Sequence, residues 1–270
     1  MKNTRAYDIL GNIALVKFDR KASAIAKKKF ASKIMGKNKT IKTVLEKTGG
    51  FKGRLRRQET KYIAGEKTKE VLYRENNCVF RFNIDKTYFS PRLSNERKEI
   101  ASLIKKGSEV LVMFAGVGPY SIVIAKNPKV KRVYSNEINR DANKYAELNI
   151  GLNKVKNKVV MLNGNIQDVV TKVKRGLKVN SEIIPKQFDY IIMPRPRLKE
   201  SFLRQAFMLS KKGTTVFYYD FCGDKEEKMV VEKIQKEAVV EKKKIKILRT
   251  KTAGEIAPHK IRIRVDFRIL

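Results

Sequence analysis

Residues 111–120 read LVMFAGVGPY. A short apolar run from Val110 to Phe114 enters Ala115-Gly116-Val117-Gly118-Pro119, and helix-forming residues follow from Tyr120 to Lys126. Glycines between a strand and a helix let the backbone come close to a ligand, and the helix N-terminus offers N–H groups to it. A nucleotide or nucleoside pocket is built this way, with a side chain at Gly118 expected to fill ligand volume. One unit downstream, Val133 to Ile138 reads as a strand carrying Glu137 near its end. That acid falls about twenty residues after the glycine turn, where it can reach both hydroxyls of a bound ribose. A hydride-transfer enzyme and a methyltransferase both use this pair. The pair therefore implies a nucleoside-containing cofactor without fixing the reaction.

The elements around these residues change character along the chain. Residues 1–84 read as a small α+β unit. Tyr7–Phe18 alternates as a hairpin with Gly11-Asn12 at its turn, Ala22–Met35 is helical with a basic face, and Ile41–Leu45 is a short strand. Lys47–Arg57 is a basic loop punctuated by glycine, followed by strands at Tyr62–Ala64, Val71–Tyr73 and Cys78–Ile84. From residue 85 to 270 strands and helices alternate. Strands are expected at Glu109–Ala115, Arg132–Ile138, Val159–Asn163, Phe188–Met193 and Thr214–Phe221. Helices are expected at Ser94–Lys105, Tyr120–Lys126, Arg140–Asn153, Ile166–Arg175, Leu198–Ser210 and Asp224–Val240, before two closing strands, Lys244–Leu248 and Ile261–Ile269. This order suggests an α/β chain whose larger domain is a Rossmann-like, seven-stranded, doubly wound sheet of the class I methyltransferase type. Dehydrogenases usually lack the terminal antiparallel pair.

Charge points to the partner. The chain has 62 Lys plus Arg against 27 Asp plus Glu, a net +35. Residues 20–61 concentrate the excess, with 15 basic residues and two acids, Glu46 and Glu59. A polyanion is the natural partner, bound through phosphates with salt-sensitive affinity. No run of eighteen apolar residues occurs and the N-terminus, MKNTRAYDIL, lacks a signal-peptide core, so neither a membrane span nor a leader is expected. Cys78 and Cys222 have no metal-ligand spacing, and His259 is the single histidine. The expectation is a cytoplasmic monomer with no metal and with core or half-buried thiols.

Several segments together resemble one family, the archaeal and eukaryotic tRNA guanine-N1 methyltransferases that modify the guanine 3′ of the anticodon, position 37. Phe89-Ser90-Pro91-Arg92-Leu93 followed by Glu96-Arg97 is similar to the family's signature before its catalytic domain. Met113 to Tyr120 is similar to its cofactor loop, Gly53-Arg54-Leu55-Arg56 to a basic element of the smaller domain, and Ile192-Met193-Pro194-Arg195-Pro196 to the target-base motif. Ala257-Pro258 also matches, and the resemblance covers nearly the whole chain. It departs from the family at Val112 and Asn165, where acids are usual, and at Arg195 between the two prolines. Asn165 keeps a carbonyl oxygen that can accept from an exocyclic amine.

The resemblance implies S-adenosylmethionine as cofactor, tRNA as substrate, and a role for each matching residue. N1 of guanine carries a proton that must leave before nitrogen can attack the methyl group. Glu96 is implied as the base. Arg56 would donate to O6, and Arg97 would orient Glu96 or contact phosphate. Tyr88, Phe114, Gly116, Gly118, Pro119, Glu137, Asn165 and Pro194 are the implied cofactor residues. Arg92 and Pro196 are implied to bind substrate. Tyr88 and Tyr120 also fit as aromatics closing the sheet, and the two prolines also fit a rigid loop without a ligand. Asp189 stands as the second candidate base. Related wyosine-pathway enzymes either transfer the aminocarboxypropyl group of the same cofactor or methylate a tricyclic intermediate at the same nucleotide. An RNA-binding protein on a degenerate methyltransferase fold is the remaining alternative.

Overall fold

The structure, a computed structural model, describes residues 7–127 and 130–270. The chain divides into two compact units, Met1–Pro91 and Arg92–Leu270.

In the first unit β1 (Tyr7–Leu10) and β2 (Ile13–Val16) form a hairpin about Gly11-Asn12, as the alternation predicts. Helix α1 (Ala24–Lys37) starts at Ser23, whose hydroxyl accepts from the Ala26 N–H, and crosses over to β3 (Thr43–Lys47), parallel to β2. β4 (Thr60–Gly65) completes a sheet of order β1-β2-β3-β4, and β5 (Glu70–Glu75) pairs with β6 (Cys78–Asn83) as a separate hairpin. Ala14, Val16, Ala31, Ile34 and Val44 form the core between α1 and the sheet.

A 3-10 turn, Pro91–Leu93, leads into α2 (Ser94–Leu103). The second unit then runs β7 (Glu109–Val112), α3 (Pro119–Lys126), β8 (Arg132–Glu137), α4 (Arg140–Leu152), β9 (Val159–Asn163), α5 (Ile166–Lys174) and β10 (Phe188–Met193). It closes with α6 (Leu203–Met208), β11 (Ser210–Gly223), α7 (Glu227–Val240), β12 (Ile245–Ala257) and β13 (Lys260–Ile269). The seven strands are ordered β12-β13-β11-β10-β7-β8-β9. Neighbours among β7 to β11 are parallel, while β13 is antiparallel to both β11 and β12. This is the doubly wound methyltransferase-type sheet that the strand–helix alternation predicts. The order reverses at β7, so a ligand crevice opens beyond the carboxyl ends of β7 and β10.

The two largest departures from the expected bounds have identifiable reasons. Helix α6 starts at Leu203 instead of Leu198. The Arg195 guanidinium donates to the carbonyls of Leu198 and Glu200, both at 2.6 Å, and Phe202 adopts φ 61°. Those contacts hold the segment in a loop that a helix could not satisfy. β12 extends to Ala257 because it stays paired with β13 along its length, through three register shifts.

The glycine loop is built as expected, with one correction. Phe114 (φ 59°), Gly116 (φ 58°) and Gly118 (φ 85°) take left-handed backbone, and Pro119 opens α3. A Cβ on Gly118 would meet Ile122 Cδ1 at 3.2 Å and Ala146 Cβ at 3.6 Å. The direction freed by the missing side chain is thus occupied by α3 and α4 and is not left to a ligand. Gly118→Ala is expected to destabilise the fold by about 1–2 kcal/mol through backbone strain and crowding. Urea titration monitored by circular dichroism checks this. An unchanged midpoint would show that the turn tolerates a side chain.

Candidate functional site

The carboxyl ends of four parallel strands bring most of the expected cofactor residues to one edge. Phe114, Gly116, Gly118 and Pro119 follow β7, and Glu137 ends β8. Asn165 follows β9, and Pro194 and Pro196 follow β10. Glu137 joins the first two loops. Its Oε2 accepts from the Gly116 N–H at 2.8 Å and its Oε1 from the Asn139 N–H at 2.7 Å. Burial pushes this carboxyl up, and the N–H groups of Asn139 and Gly116 oppose that shift. A carboxylate oxygen accepts more than one hydrogen bond, so both oxygens keep capacity for ribose hydroxyls. Asn143 donates to the Glu137 carbonyl at 3.1 Å, while its buried Oδ1 has no partner among the described residues. An open acceptor beside the acid suits a hydroxyl-bearing ligand.

Asn165 caps α5, accepting from the Gln167 N–H at 3.3 Å. Gln167 in turn donates to Glu200 at 2.7 Å, which ties this cap to the loop after β10. Arg195 is 2% exposed and pairs with Asp220, which also accepts from Tyr218 at 3.0 Å and Lys233 at 3.2 Å. The unusual arginine between the prolines is therefore a buried clamp on its own loop. Val112 is fully buried, paired with Ile192 and Ser135, in a place that suits an aliphatic side chain.

Glu96 lies on α2 and is 5% exposed. Its Oε2 accepts from Tyr219 at 3.0 Å and from Arg264 at 2.7 Å, and its Oε1 accepts from Lys251 at 2.6 Å. The three donors form one cross-strand row, since Tyr219 on β11 opposes Arg264 on β13, which opposes Lys251 on β12. Tyr218 pairs with Met193, the last residue of β10, so Tyr219 sits level with Pro194. Glu96 is thereby held at the carboxyl edge of the sheet. Arg264 also pairs with Glu99 at 2.7 Å and Asp266 at 2.8 Å. Arg97 is 1% exposed and lies over the Tyr120 ring at 5.8 Å, a position closed to phosphate. Tyr120 is buried against Tyr219, with ring centroids 6.0 Å apart, and burial pushes its hydroxyl up to about 12. The structure thus favours the sheet-closing reading of Tyr120.

Sequence reasoning missed Tyr219, Arg264 and Lys251, which lie more than 120 positions from Glu96. One signal was present. Arg264 and Asp266 interrupt the apolar series of β13, and charges inside a buried strand need partners. Asp189 is excluded as an alternative base. It sits at the amino end of β10, accepts from the Glu109 N–H at 2.8 Å and pairs with Lys211 at 2.7 Å, at the opposite edge from the loops above.

In the first unit Lys52 and Arg57 bridge a tight turn, with Gly53 at φ 64° and Arg56 at φ 55°. The Arg56 guanidinium lies 5.1 Å from the centre of Phe51 and 4.8 Å from that of Tyr88, which pack edge-to-face. Both distances are those of cation–π contacts, which hold the guanidinium against the two rings. Arg92 is exposed at the 3-10 turn. Lys28 and Lys29 are exposed on α1, whereas Lys27 is half-buried and paired with Glu46 at 2.7 Å. Cys78 and Cys222 are free thiols, buried and half-buried respectively. No described helix is long and apolar enough to cross a membrane, and no described cluster could hold a metal ion.

Comparison with known proteins covers both units. Residues 71–248 match the TRM5/TYW2 methyltransferase domain, and residues 2–68 match the TYW2 N-terminal domain. A Nanoarchaeum equitans protein named tRNA (guanine(37)-N(1))/4-demethylwyosine(37)-methyltransferase Taw22 is 33% identical, over 98% of this chain and 100% of its own length. The tRNA (guanine(37)-N(1))-methyltransferase Trm5b of Pyrococcus abyssi is 33% identical, over 98% of this chain and 74% of its own. The crystal structure of that Trm5b superposes with a TM-score of 0.81 at 33% identity, over 98% and 74% of the two chains. The solved complex of aTrm5 with tRNALeu superposes with a TM-score of 0.80 at 25% identity, over 98% and 72%.

The charge row generates a pH dependence of stability. Burial raises the Glu99 carboxyl, but hydrogen bonds from Lys251 and Arg264 outweigh this and bring it from 4.5 down to about 2. A folded-state value below the unfolded one gives stability that is present above the unfolded value and lost as pH falls through the folded one. That window runs from about 4.5 down to about 2. Glu99→Gln is expected to be less stable than wild type at neutral pH, with the gap narrowing at about pH 3. Urea titrations at both pH values check this, and a gap independent of pH would refute it.

Proposed function

The chain belongs to the TRM5/TYW2 methyltransferase family, and we propose that it transfers the methyl group of S-adenosylmethionine to N1 of guanine 37 in tRNA. The carrying observation is the joint edge formed after β7, β8, β9 and β10, where Glu137 fastens the glycine loop while keeping capacity for a ribose. Guanine-37 N1 methylation is the activity named for both relatives that are 33% identical over nearly the whole chain. The tRNA partner is supported by the charge of +35 and by the relative solved with tRNALeu. The free thiols agree with a cytoplasmic protein.

The cofactor fits the residues present. Glu137 would hold the ribose, the loop of Phe114, Gly116, Gly118 and Pro119 would lie along the nucleoside, and Asn165 and Pro194 would border it. When bound, the cofactor supplies an electrophilic methyl on a sulfonium centre. The protein's own residues supply binding, orientation and removal of the N1 proton. Glu96 is the base in this reading. Tyr219 and Arg264 fix its Oε2, and Oε1, which accepts from Lys251, is the oxygen that would receive the proton. The prolines at 194 and 196 restrict the backbone beside the incoming base. Arg56, held against the Phe51 and Tyr88 rings, and the exposed Arg92 are RNA contacts.

A second reading has specific support. The Nanoarchaeum relative, matched over its full length, is also named for methylating 4-demethylwyosine at the same position. Incubating the protein with labelled cofactor and either unmodified or 4-demethylwyosine-containing tRNA, followed by nucleoside mass analysis, tests both readings. Product from the second tRNA alone would replace the first reading. No product from either would remove the methyltransferase assignment.

Glu96→Gln is expected to slow single-turnover methylation by about 10²–10⁴-fold, with partial recovery at high pH where N1 ionises unaided. A wild-type rate in Glu96→Gln at neutral pH would eliminate it as base. The affinity for tRNA is expected to fall linearly in log–log form with salt. Reversing exposed Lys28 and Lys29 to Glu should weaken tRNA binding and spare cofactor binding. Lys27 is a poor choice because its loss unpairs Glu46. A flat salt titration would contradict the electrostatic account.

A further inference from the structure

The two oxygens of Glu96 have different surroundings. Oε2 is closed between Tyr219 and Arg264, whose side chain is fully buried and bonded to Glu96, Glu99 and Asp266. Oε1 accepts, among the described residues, from Lys251 alone. The Lys251 side chain is 29% exposed, whereas that of Glu96 is 7% exposed. It comes from β12, the edge strand, and carries its charge on a flexible four-carbon stem. Arg264 cannot leave without breaking its pairs with three carboxylates. Lys251 can withdraw into solvent.

We propose that Lys251 is a positioning residue that decides when Glu96 Oε1 is free to take a proton. The inference rests on the reading of Glu96 as base. While Lys251 Nζ holds Oε1, the oxygen has no approach for the N1 proton of a substrate. When Lys251 swings out, still able to pair with Glu99, Oε1 is left without a donor among the described residues while Oε2 stays held by Tyr219 and Arg264. The proton moves from N1 to Oε1, the electron pair stays on the guanine, and the carboxyl stays oriented by Tyr219 and Arg264. Tyr219 from β11, Arg264 from β13 and Lys251 from β12 bond Glu96 directly, and the charged and titratable groups around them are Glu99 and Arg97 from α2, Tyr120 from α3, Asp266 and Arg262 from β13, and Arg249 from β12.

The sign of the pH effect follows from Coulomb's law. Lys251 Nζ lies 2.6 Å from Oε1, and a cation there opposes the arrival of a proton. Single-turnover methylation is measured across a pH series for wild type, Lys251→Met, Lys251→Arg and Glu96→Gln, and each acidic limb is read from that protein's own profile. The expected result is an acidic limb displaced to higher pH in Lys251→Met. It should be restored in Lys251→Arg, and the limb should be absent in Glu96→Gln. A purely structural lysine would alter thermal stability and leave the midpoint in place, and that result overturns the inference. If Lys251→Met does not fold, Lys251→Gln carries the same measurement, because it removes the charge and keeps a donor. If Glu96→Gln reacts at the wild-type rate, the base assignment itself fails. A slow Glu96→Gln beside an unmoved Lys251→Met limb overturns only the role of Lys251.

Discussion

A carboxylate buried under a row of donors is the constraint on which the catalytic unit depends. Glu96 is nearly withdrawn from water, and moving an ion into such a place costs several kcal/mol unless its partners are already in place. They are in place because strand register puts them there. Tyr219, Arg264 and Lys251 stand side by side across β11, β13 and β12, and α2 lays Glu96 and Glu99 over them. The antiparallel pair that closes the sheet therefore does more than finish it. It supplies two of the three groups that fix Glu96, and the register shift between Ile247 and Arg249 sets which residue of β12 stands opposite Arg264. Losing Arg264 would leave the buried Asp266 without its cation and take one cation each from Glu96 and Glu99, a change on the order of 3–5 kcal/mol.

The opposite face of β11 carries a second charge cluster with another task. Tyr218 and Asp220 point there and bind Arg195, which holds the loop after β10 through the carbonyls of Leu198 and Glu200. The same strand thus braces Glu96 on one face and the proline loop on the other. Glu137 does the same for the glycine turn, where a single buried carboxylate joins that turn to the start of α4. In each case a buried charge fastens a segment that lacks regular hydrogen bonding, and the segment lies where a ligand must be met.

This explains what could be read from the sequence. The strands β9 and β10 and the helix starts at Ser94 and Arg140 follow from local periodicity, and the structure has them at the expected residues. The glycine loop and Glu137 are legible because their spacing is local. The failures are long-range. Nothing near Leu198 announces that Arg195 will take the carbonyls a helix would need, so α6 is read too long. Nothing near Glu96 announces Lys251 or Arg264. Asp189 drops out because it stands at the amino end of β10, whereas a sheet of this kind meets its ligand at the carboxyl ends. The pairing of β10 with β7 settles that directly.

The charge of the chain sorts by the same logic. Two buried arginines are matched by carboxylates, Arg264 by Glu96, Glu99 and Asp266, and Arg195 by Asp220. The excess that makes up the net +35 is left on exposed side chains such as Lys28 and Lys29 on α1. An exposed lysine loses little solvation when it meets a phosphate, and it releases counterions from the nucleic acid when it does. A buried one would have lost its hydration already and could not be spared by its partner. Lys251 falls between these classes. It is paired like the buried cations and partly wet like the surface ones, and it touches the carboxylate assigned to chemistry. A group in that position can change partners at low cost, which is the property that a movable guard on Glu96 requires.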